Sequence, residues 1–347
     1  MIPGVPSVTI AMPVYNGAAT LSRAVSSALD QTYRDIELLV IDDGSSDTSV
    51  DLVRSFRDPR IRLIVHEENR GLAATRDHLV DESASIYIAW LDQDDWAHPK
   101  RVAKQFDLLT DRPNAVLCGT WVEFVTETNG SKRSRLLRRV TERDFTDSED
   151  LRAKMIFRNM LRTSSVMSRT EAIRANRLTF CEEYAPAEDY QMWTQLNQVG
   201  DIVMVPETLA RIYEYSTGAS VQGGERQIIG ARRTRLELLA ELGFNLSGAE
   251  VALHMFITER DGRRASPEEY TAAAKWLDEL QRRNDDLLCF PKSALRRACA
   301  EQFASLLWRC SKERPKHVGK LVSASRTSRS VPAWALRRSI RVAASRT

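Results

Sequence analysis

Three carboxylates are concentrated in the four residues Asp92-Gln93-Asp94-Asp95, directly after the apolar run Ile86–Leu91, which is typical of a buried strand. Clustered carboxylates repel one another and are costly to remove from water, so they usually need a cation or a proton. Oxygen ligands of this kind suit Mg²⁺ or Mn²⁺, and such a metal usually bridges to the phosphates of a substrate. The same residues could instead form an acidic turn that caps the next helix, since Asp is a good N-cap residue.

Two other polar segments follow apolar runs in the same way. Pro13-Val14-Tyr15-Asn16 comes after Val8–Met12, and Asp42-Asp43-Gly44-Ser45 comes after Ile36–Ile41. Ligands of a parallel sheet bind at the carboxyl ends of its strands. If these runs are parallel strands, all three polar segments should therefore meet at one edge of the sheet.

The elements that must position these segments alternate along residues 8–120. The predicted strands are Val8–Met12, which Pro13 should stop, Ile36–Ile41, Ile61–Val65, Ile86–Leu91 and Ala115–Gly119, and helices are predicted from Thr20, after Ser45, over Gly71–Val80 and over Pro99–Leu109. Repeated βα units predict an α/β fold with a mostly parallel sheet covered by helices on both faces. From about Glu225 onward the pattern is helical, which predicts a C-terminal helical appendage.

Composition limits the class of protein. The chain has 347 residues, of which 43% are hydrophobic and 28% charged, as is ordinary for a soluble globular protein. The net charge of +3 argues against a nucleic-acid polycation, and no nucleic-acid partner is expected. The charge is uneven, because residues 309–347 contain eleven Lys/Arg and one acidic residue, so that the remaining residues sum to −7. A basic tail on an acidic body suggests an anionic surface as partner.

The chain shows no sign of secretion or of membrane insertion. Its five cysteines lack CxxC spacing, which favours reduced thiols, and it has neither a signal-peptide pattern nor about 18 consecutive apolar residues. We expect a cytoplasmic protein that can lie peripherally at the inner face of the plasma membrane. The segment Pro332–Ala344 predicts a short helix with Leu336, Ile340 and Ala343 on one face and arginines on the other, which could contact anionic lipid or remain a solvated tail.

Motifs that are missing narrow the chemistry. The chain has no GxGxxG after its first strand, no GxxxxGK[ST], no GxSxG and no HExxH, and its five histidines form no convincing ligand cluster. What remains is a sheet whose strand ends carry Asp, so a metal held on Asp would neutralise the phosphates of a ligand. A nucleotidyltransferase would also fit this description, although the Gly-rich basic N-terminal loop usual in that class is absent.

Four ordered blocks of the sequence resemble family-2 glycosyltransferases of the GT-A fold, over residues 7 to about 220. The blocks are Val8 to Asp47, with Gln31-Thr32-Tyr33 and Asp42-Asp43-Gly44-Ser45, then Asn69 to Asp77, then Leu91 to Asp95 with His98-Pro99, and finally Ala187 to Trp193. The resemblance implies a domain over 1–222, with a nucleotide-sugar part (1–120) and an acceptor part (121–222). A helical region (223–330) and the basic tail (331–347) complete the chain.

The resemblance also implies roles for the nucleotide-sugar side. Pro13 and Tyr15 would lie at the nucleotide, with the Tyr15 ring stacked against the base. Asp42 or Asp43 would accept from a base N–H, and Asp43 matches the family position. Those two aspartates could equally be turn or cap residues. The remaining expected contacts to the nucleotide-sugar come from Arg76, Asp92, Gln93 and Glu188, although Arg76 could instead form a surface salt bridge.

For the metal and the chemistry, the resemblance implies three aspartates. Asp94 would contact Mn²⁺ or Mg²⁺ directly, and Asp92 would assist while lying nearer the ribose or sugar. Asp189 would be the general base that takes the proton of an acceptor hydroxyl during an inverting displacement. Glu188 and Asp189 could instead only stabilise the start of a helix, because acidic residues favour helix N-termini.

Two departures from the family bear on the expected activity. Tyr215 occupies the position at which members often have a metal-binding His, so Glu214 or water could substitute there. The QxxRW signature of processive synthases is absent. We therefore expect a non-processive, metal-dependent enzyme of the hexosyltransferase class. It would transfer a sugar from a nucleoside-diphosphate sugar, with UDP favoured, to a glycan or lipid-linked acceptor in cell-surface polysaccharide biosynthesis. A catalytically silent nucleotide-binding module is the non-enzymatic alternative.

Overall fold

A computed structural model describes residues 5–126, 148–214, 219–259 and 264–344. The chain forms two compact units. The first unit combines Met1–Ser148 with Leu161–Ala231, and the second combines Glu149–Met160 with Arg232–Thr347. Among the described residues, no helix has the length and apolar character needed to cross a bilayer.

The first unit is built on an eight-stranded sheet, with the strands in the order β3-β2-β1-β4-β7-β6-β8-β5. The strands are β1 (Val8–Val14), β2 (Ile36–Asp42), β3 (Ile61–Val65), β4 (Tyr87–Trp90), β5 (Trp96–Ala97), β6 (Ala115–Thr126), β7 (Met167–Arg169) and β8 (Asp201–Glu214). Strands β1 to β4 pair in parallel, as do β6 and β8, whereas β7 and β5 run antiparallel to their neighbours. The predicted α/β class with a mostly parallel sheet is confirmed.

The prediction that Pro13 stops the first strand is wrong, because β1 continues to Val14. Proline lacks the N–H that a strand interior normally needs. The backbone of Ala11 faces β4, since its carbonyl accepts from Leu91 N, and Pro13 faces the same way two residues later. β4 has already ended at Trp90, so the missing N–H costs no ladder hydrogen bond.

Helices cover the sheet and bury their apolar stripes against it. They are α1 (Leu21–Leu29), α2 (Ser49–Ser55), α3 (Leu72–Glu82), α4 (Arg101–Asp111), α6 (Thr170–Ala175) and α7 (Glu188–Val199). Ala24, Val25 and Ala28 of α1 are fully buried with Ile10 and Met12 of β1 in the main core. This core fixes β1, β2 and β4, whose residues are almost all buried, and so sets the positions of the segments that follow them.

The second unit is helical, and so the predicted helical C-terminal region is confirmed. Its helices are α5 (Ser148–Met155), the end of α8 (Ala219–Glu241), α9 (Gly248–Thr258), α10 (Pro267–Leu287), α11 (Lys292–Glu313), α12 (Val318–Ala324) and α13 (Ala333–Ala344). Capping boxes begin α9 and α10, formed by Ser247 with Glu250 and by Ser266 with Glu269. Helix α5 lies far upstream in sequence but packs in this unit, where the Phe157 ring just beyond its end stacks on His254.

Candidate active site

The three polar segments singled out in the sequence lie at one edge of the first unit's sheet. β1 ends at Val14, β2 at Asp42 and β4 at Trp90, and these three neighbouring strands run in parallel. Tyr15, Asp43 and Asp92 therefore follow the carboxyl ends of adjacent strands, where ligands of open α/β sheets bind.

The guanidinium of Arg76 is the centre of the charged cluster. Arg76 lies on α3, is 4% exposed, and donates to Glu188 Oε1 at 2.5 Å and to Asp92 Oδ1 at 3.0 Å. One buried side chain therefore joins Asp92, two residues after the end of β4, to the first turn of α7. The bidentate fork of arginine suits this arrangement, because it can bond two carboxylates at once.

The charges in this cluster shift one another's pKa values. Burial opposes the charge on Arg76, but the carboxylates of Asp92, Glu188 and Asp189 outweigh it and raise the pKa of Arg76. Burial raises the pKa of Glu188 and of Asp189, and Arg76 limits both increases. Asp189 is half-buried, and its Oδ2 accepts from the Thr163 hydroxyl at 3.2 Å. A carboxylate with a raised pKa is a stronger base near neutral pH.

The acidic segment after β4 has an exposed side and a buried side. Asp92 and Asp94 are half-buried, and burial together with the charge of Asp92 raises the pKa of Asp94 to about 6. Asp95 is buried, and burial raises its pKa well above the usual range. Its Oδ1 accepts from Tyr213 N at 3.0 Å and its Oδ2 accepts from the Ser164 hydroxyl. Asp95 therefore anchors the segment, while Asp92 and Asp94 remain nearer the solvent.

The carboxylates of this segment fit a metal ion that takes some of its ligands from the protein and the others from a substrate. Within the described ranges, no group of three or more His, Cys, Asp or Glu side chains is arranged as a complete metal site. Asp92 and Asp94 together supply hard oxygen atoms, and burial and the neighbouring charge of Asp92 raise the pKa of Asp94 more than Arg23 lowers it. Mg²⁺ is usually held by one or two carboxylates plus phosphates and water, and Mn²⁺ favours similar oxygen ligands.

The segment after β1 is held by the Gln93 side chain. Its Oε1 accepts from Tyr15 N at 3.0 Å, and its Nε2 donates to the Tyr15 carbonyl at 3.1 Å. Gly17 makes this possible, because a Cβ at that position would lie 2.2 Å from Gln93 Oε1. The Tyr15 side chain is 47% exposed, so one face of the ring can be reached by a ligand.

The paired aspartates after β2 differ in their partners. Asp43 is buried, its Oδ1 contacts His66 Nδ1 at 2.7 Å and accepts from Arg70 N at 2.9 Å, and its Oδ2 accepts from Gly71 N at 2.9 Å. Asp42 Oδ1 accepts from Ser45 N, whereas its buried Oδ2 has no hydrogen-bond partner among the described residues. Asp43 therefore orders the turn before α3 in addition to any contact with a base. The preference for Asp43 over Asp42 as base acceptor stays a prediction.

Several residues near these carboxylates were not picked out as individual site residues from the sequence. Thr163 and Ser164 belong to a buried 3₁₀ turn (Thr163–Ser165), in the segment Asn159–Met167 that resembles the acceptor side of the family. Arg101 of α4 and the His66–His78 pair, whose Nε2 and Nδ1 atoms are 2.8 Å apart, were not predicted. No sequence pattern predicts their contacts, because the partners lie 11 to 72 positions away. Tyr215, the expected departure from the family, lies outside the described residues.

Comparisons with known proteins bear on the family and the fold of the chain. Residues 9–175 match the sequence model of "Glycosyl transferase family 2". An uncharacterized glycosyltransferase of Haemophilus influenzae is 26% identical over 209 residues, which are 59% of this chain and 65% of that protein. The chain thus spans less than two thirds of the length of the first curated relatives that it matches.

Two solved structures share the fold. TarS 1–349 from S. aureus, in complex with UDP-GlcNAc, is 15% identical with a TM-score of 0.58, covering 93% of this chain and 92% of that one. The mannosyltransferase PcManGT from Pyrobaculum calidifontis, in complex with GDP-Man and Mn²⁺, is 15% identical with a TM-score of 0.52, covering 99% and 87%. These likenesses establish the GT-A fold. In residues 9–175, just under half of its length, the chain is similar to glycosyl transferase family 2.

Proposed function

We propose that this protein is a glycosyltransferase that moves a sugar from a nucleoside-diphosphate sugar to an acceptor hydroxyl, with inversion and with a divalent metal. The observation that carries the proposal is the Arg76 bridge between Asp92 and Glu188. It ties the acidic segment expected at the diphosphate to the helix start that carries Asp189. A donor-side group and a base are thereby held in one cluster, as a direct displacement requires.

In the proposed reaction, Asp189 takes the proton of the acceptor hydroxyl while the oxygen of that hydroxyl bonds to the anomeric carbon. The bond from that carbon to the diphosphate breaks, and its electron pair leaves with the nucleoside diphosphate. Mn²⁺ or Mg²⁺ on Asp94 and Asp92 would stabilise the charge of that leaving group. The Thr163 hydroxyl, 3.2 Å from Asp189 Oδ2, orients the base, and Glu188, which is bonded to Arg76, would help to position the donor sugar.

The donor is proposed to be a UDP-sugar, bound by Pro13, Tyr15, Asp42, Asp43, Arg76, Asp92, Gln93 and Glu188. TarS was solved with UDP-GlcNAc and PcManGT with GDP-Man, so both bases are compatible with the fold. The acceptor is proposed to be a glycan or a lipid-linked glycan. Anionic lipid at the basic tail is a further proposed partner. The nucleotidyltransferase and silent-module alternatives are not favoured by the family match.

The test compares the wild-type protein with Asp189→Asn. Screening UDP, GDP and dTDP by thermal unfolding, with and without Mn²⁺, identifies the base, since a ligand at 100 times its Kd adds about 2.7 kcal/mol of stability. Transfer or hydrolysis of the matching sugar donors is then measured. Asp189→Asn should keep the metal-dependent nucleotide shift and lose about 10²- to 10⁴-fold in turnover. Full turnover in that variant, or no nucleotide shift in the wild type, would overturn the proposal.

A further inference from the structure

The buried turn Thr163–Ser165 connects the two sides of the proposed site. The Thr163 hydroxyl donates to Asp189. The next hydroxyl, that of Ser164, donates to Asp95 in the acidic segment. Ser164 is 0% exposed, accepts from Asp92 N at 3.0 Å and donates to Asp95 Oδ2. One short turn therefore touches both the base and the backbone of the metal-binding segment.

The Ser164 hydroxyl is used as acceptor and donor at once. Its only proton goes to Asp95, so a lone pair of its oxygen faces the Asp92 N–H. Asp95 in turn accepts from Tyr213 N at the end of β8. The acidic segment is thus joined at its first residue to the turn, and at its last residue to both the turn and β8.

Helix α4 holds the turn from its other side. Arg101, which is 0% exposed, donates through one NH group to the carbonyls of Ser164 and Trp90. Gln105, one helical turn later, donates to the Ser165 carbonyl at 3.0 Å and to the Cys118 carbonyl at 2.7 Å. A buried cation is costly, and burial lowers the pKa of Arg101 to about 10. These two long polar side chains donate to four carbonyls, two in the turn and one each in β4 and β6, and leave the turn little freedom.

We propose that Ser164 is a positioning residue that sets the distance between the metal-binding pair Asp92 and Asp94 and the base Asp189. It touches no substrate and acts through the Asp92 N–H and the Asp95 carboxylate. This inference rests on the proposed glycosyl transfer for its effect on rate. The contacts that carry it are independent of any ligand.

The matched variants are Ser164→Ala and Ser165→Ala, two hydroxyl deletions in the same turn. The Ser165 hydroxyl donates to the carbonyl of Arg162, the residue before the turn, and makes no contact with the acidic segment among the described residues, so its loss should leave that segment in place. Ser164→Ala should raise the Mn²⁺ concentration for half-maximal stabilisation by nucleotide at least fivefold and lower kcat at least tenfold. Its KM for the acceptor should change less than threefold. Ser165→Ala should stay within twofold of wild type in all three quantities.

Hydrogen exchange separates this inference from the proposed function. Without metal or nucleotide, the Asp92 amide should exchange at least tenfold faster in Ser164→Ala than in Ser165→Ala, because only the first loses its acceptor. If Ser164→Ala does not fold, Ser164→Cys, which keeps the shape of the side chain, takes its place. Its Asp92 amide should also exchange faster than that of Ser165→Ala. Equal Asp92 exchange in the variants would overturn the positioning role. A wild type inactive on every donor, with Asp92 exchange still altered, would overturn the proposed function alone.

Discussion

A single guanidinium balances three carboxylates in this protein. Arg76 contacts Asp92 and Glu188 directly, and its charge also lowers the pKa that burial gives to Asp189. Arg76, which the sequence predicts either at the nucleotide-sugar or in a surface salt bridge, is therefore part of the electrostatics of the proposed base. Its replacement should change the pH at which the base works as well as the rate.

Two variants of Arg76 test that role. Arg76→Gln removes the positive charge, so the pKa of Asp189 should rise and the acidic limb of kcat/KM should move to higher pH. Arg76→Lys keeps the charge but cannot bridge two carboxylates, so it should lose about tenfold or more in rate with less displacement of that limb. The measurement is the pH profile of sugar transfer for both variants and wild type. Coinciding acidic limbs in Arg76→Gln and wild type would contradict the assignment.

Residue types could be predicted where a motif carries them, and contacts could not. Asp42, Asp43, Asp92, Asp94 and Asp189 stand out because acidic residues follow apolar runs or match family blocks. Ser164 lies in Asn159–Met167, which resembles the acceptor side of the family but marks no single residue, and Arg101 is an ordinary helix arginine in the sequence. Their significance comes from partners 63 to 72 positions away, which only the folded chain brings together.

At the scale of elements, long apolar runs were predictable and short strands were not. The predicted strand Ile61–Val65 has the bounds of β3, whereas the fifth predicted strand, Ala115–Gly119, extends to Thr126 as β6. β5 has two residues and β7 three, too few for a periodic pattern. Yet these short strands pair with β8 and β4, so they decide how the second half of the sheet is completed.

Helix α9 contributes a pH dependence to stability. His254 is fully buried, its Nε2–H donates to the Ile156 carbonyl at 2.8 Å, and its Nδ1 accepts from the Trp276 indole at 3.3 Å. Both ring nitrogens are thus satisfied in the neutral form. A second proton would face the indole N–H. Burial lowers the pKa of His254 to about 4, below the usual value of about 6.5.

The unfolded chain therefore binds more protons than the folded chain between those pH values. The stabilisation is complete above about pH 6.5 and is lost as pH falls toward 4, by up to about 3 kcal/mol. The measurement is the free energy of unfolding of wild type and His254→Gln, which keeps a donor but does not titrate. The wild-type advantage should shrink as pH decreases from 7 to 4.5. A constant difference would show that His254 is not the group responsible.

At the scale of the molecule, charge is concentrated at one end of the chain. The exposed cations described in the last forty residues include Lys316, Lys320, Arg326, Arg329 and Arg337. Helix α13 buries Ala335 and Ser339, while the side chain of Ile340 is 51% exposed. The face with Ile340 therefore remains open next to basic residues, as a peripheral contact with anionic lipid would need.

Vesicle binding tests this contact. Replacing Lys316, Lys320, Arg326 and Arg329 by Gln should weaken binding to phosphatidylglycerol-containing vesicles about 10²-fold or more, since each cation near such a surface contributes about 1 kcal/mol. The matched control replaces the exposed Arg34, Arg54, Arg57 and Lys100 of the first unit, with the same change in net charge. Equal losses in both variants, or equal wild-type binding to phosphatidylcholine vesicles, would contradict a specific role of the cations between residues 316 and 329.

The interleaving of the two units has a consequence for synthesis on the ribosome. Glu149–Met160 is translated before Leu161–Ala231, but its partners in the second unit come after residue 231. The ribosome must therefore add more than seventy residues before any of those partners exists. Four side chains that are at most 1% exposed in the folded protein lack their partners until then: Leu151, Met155, Ile156 and Phe157. At about 5–20 residues per second, that wait lasts at least several seconds. During that time these apolar side chains lack their partners, although strands β1 to β6 and the acidic segment Asp92–Asp95 have already been synthesised.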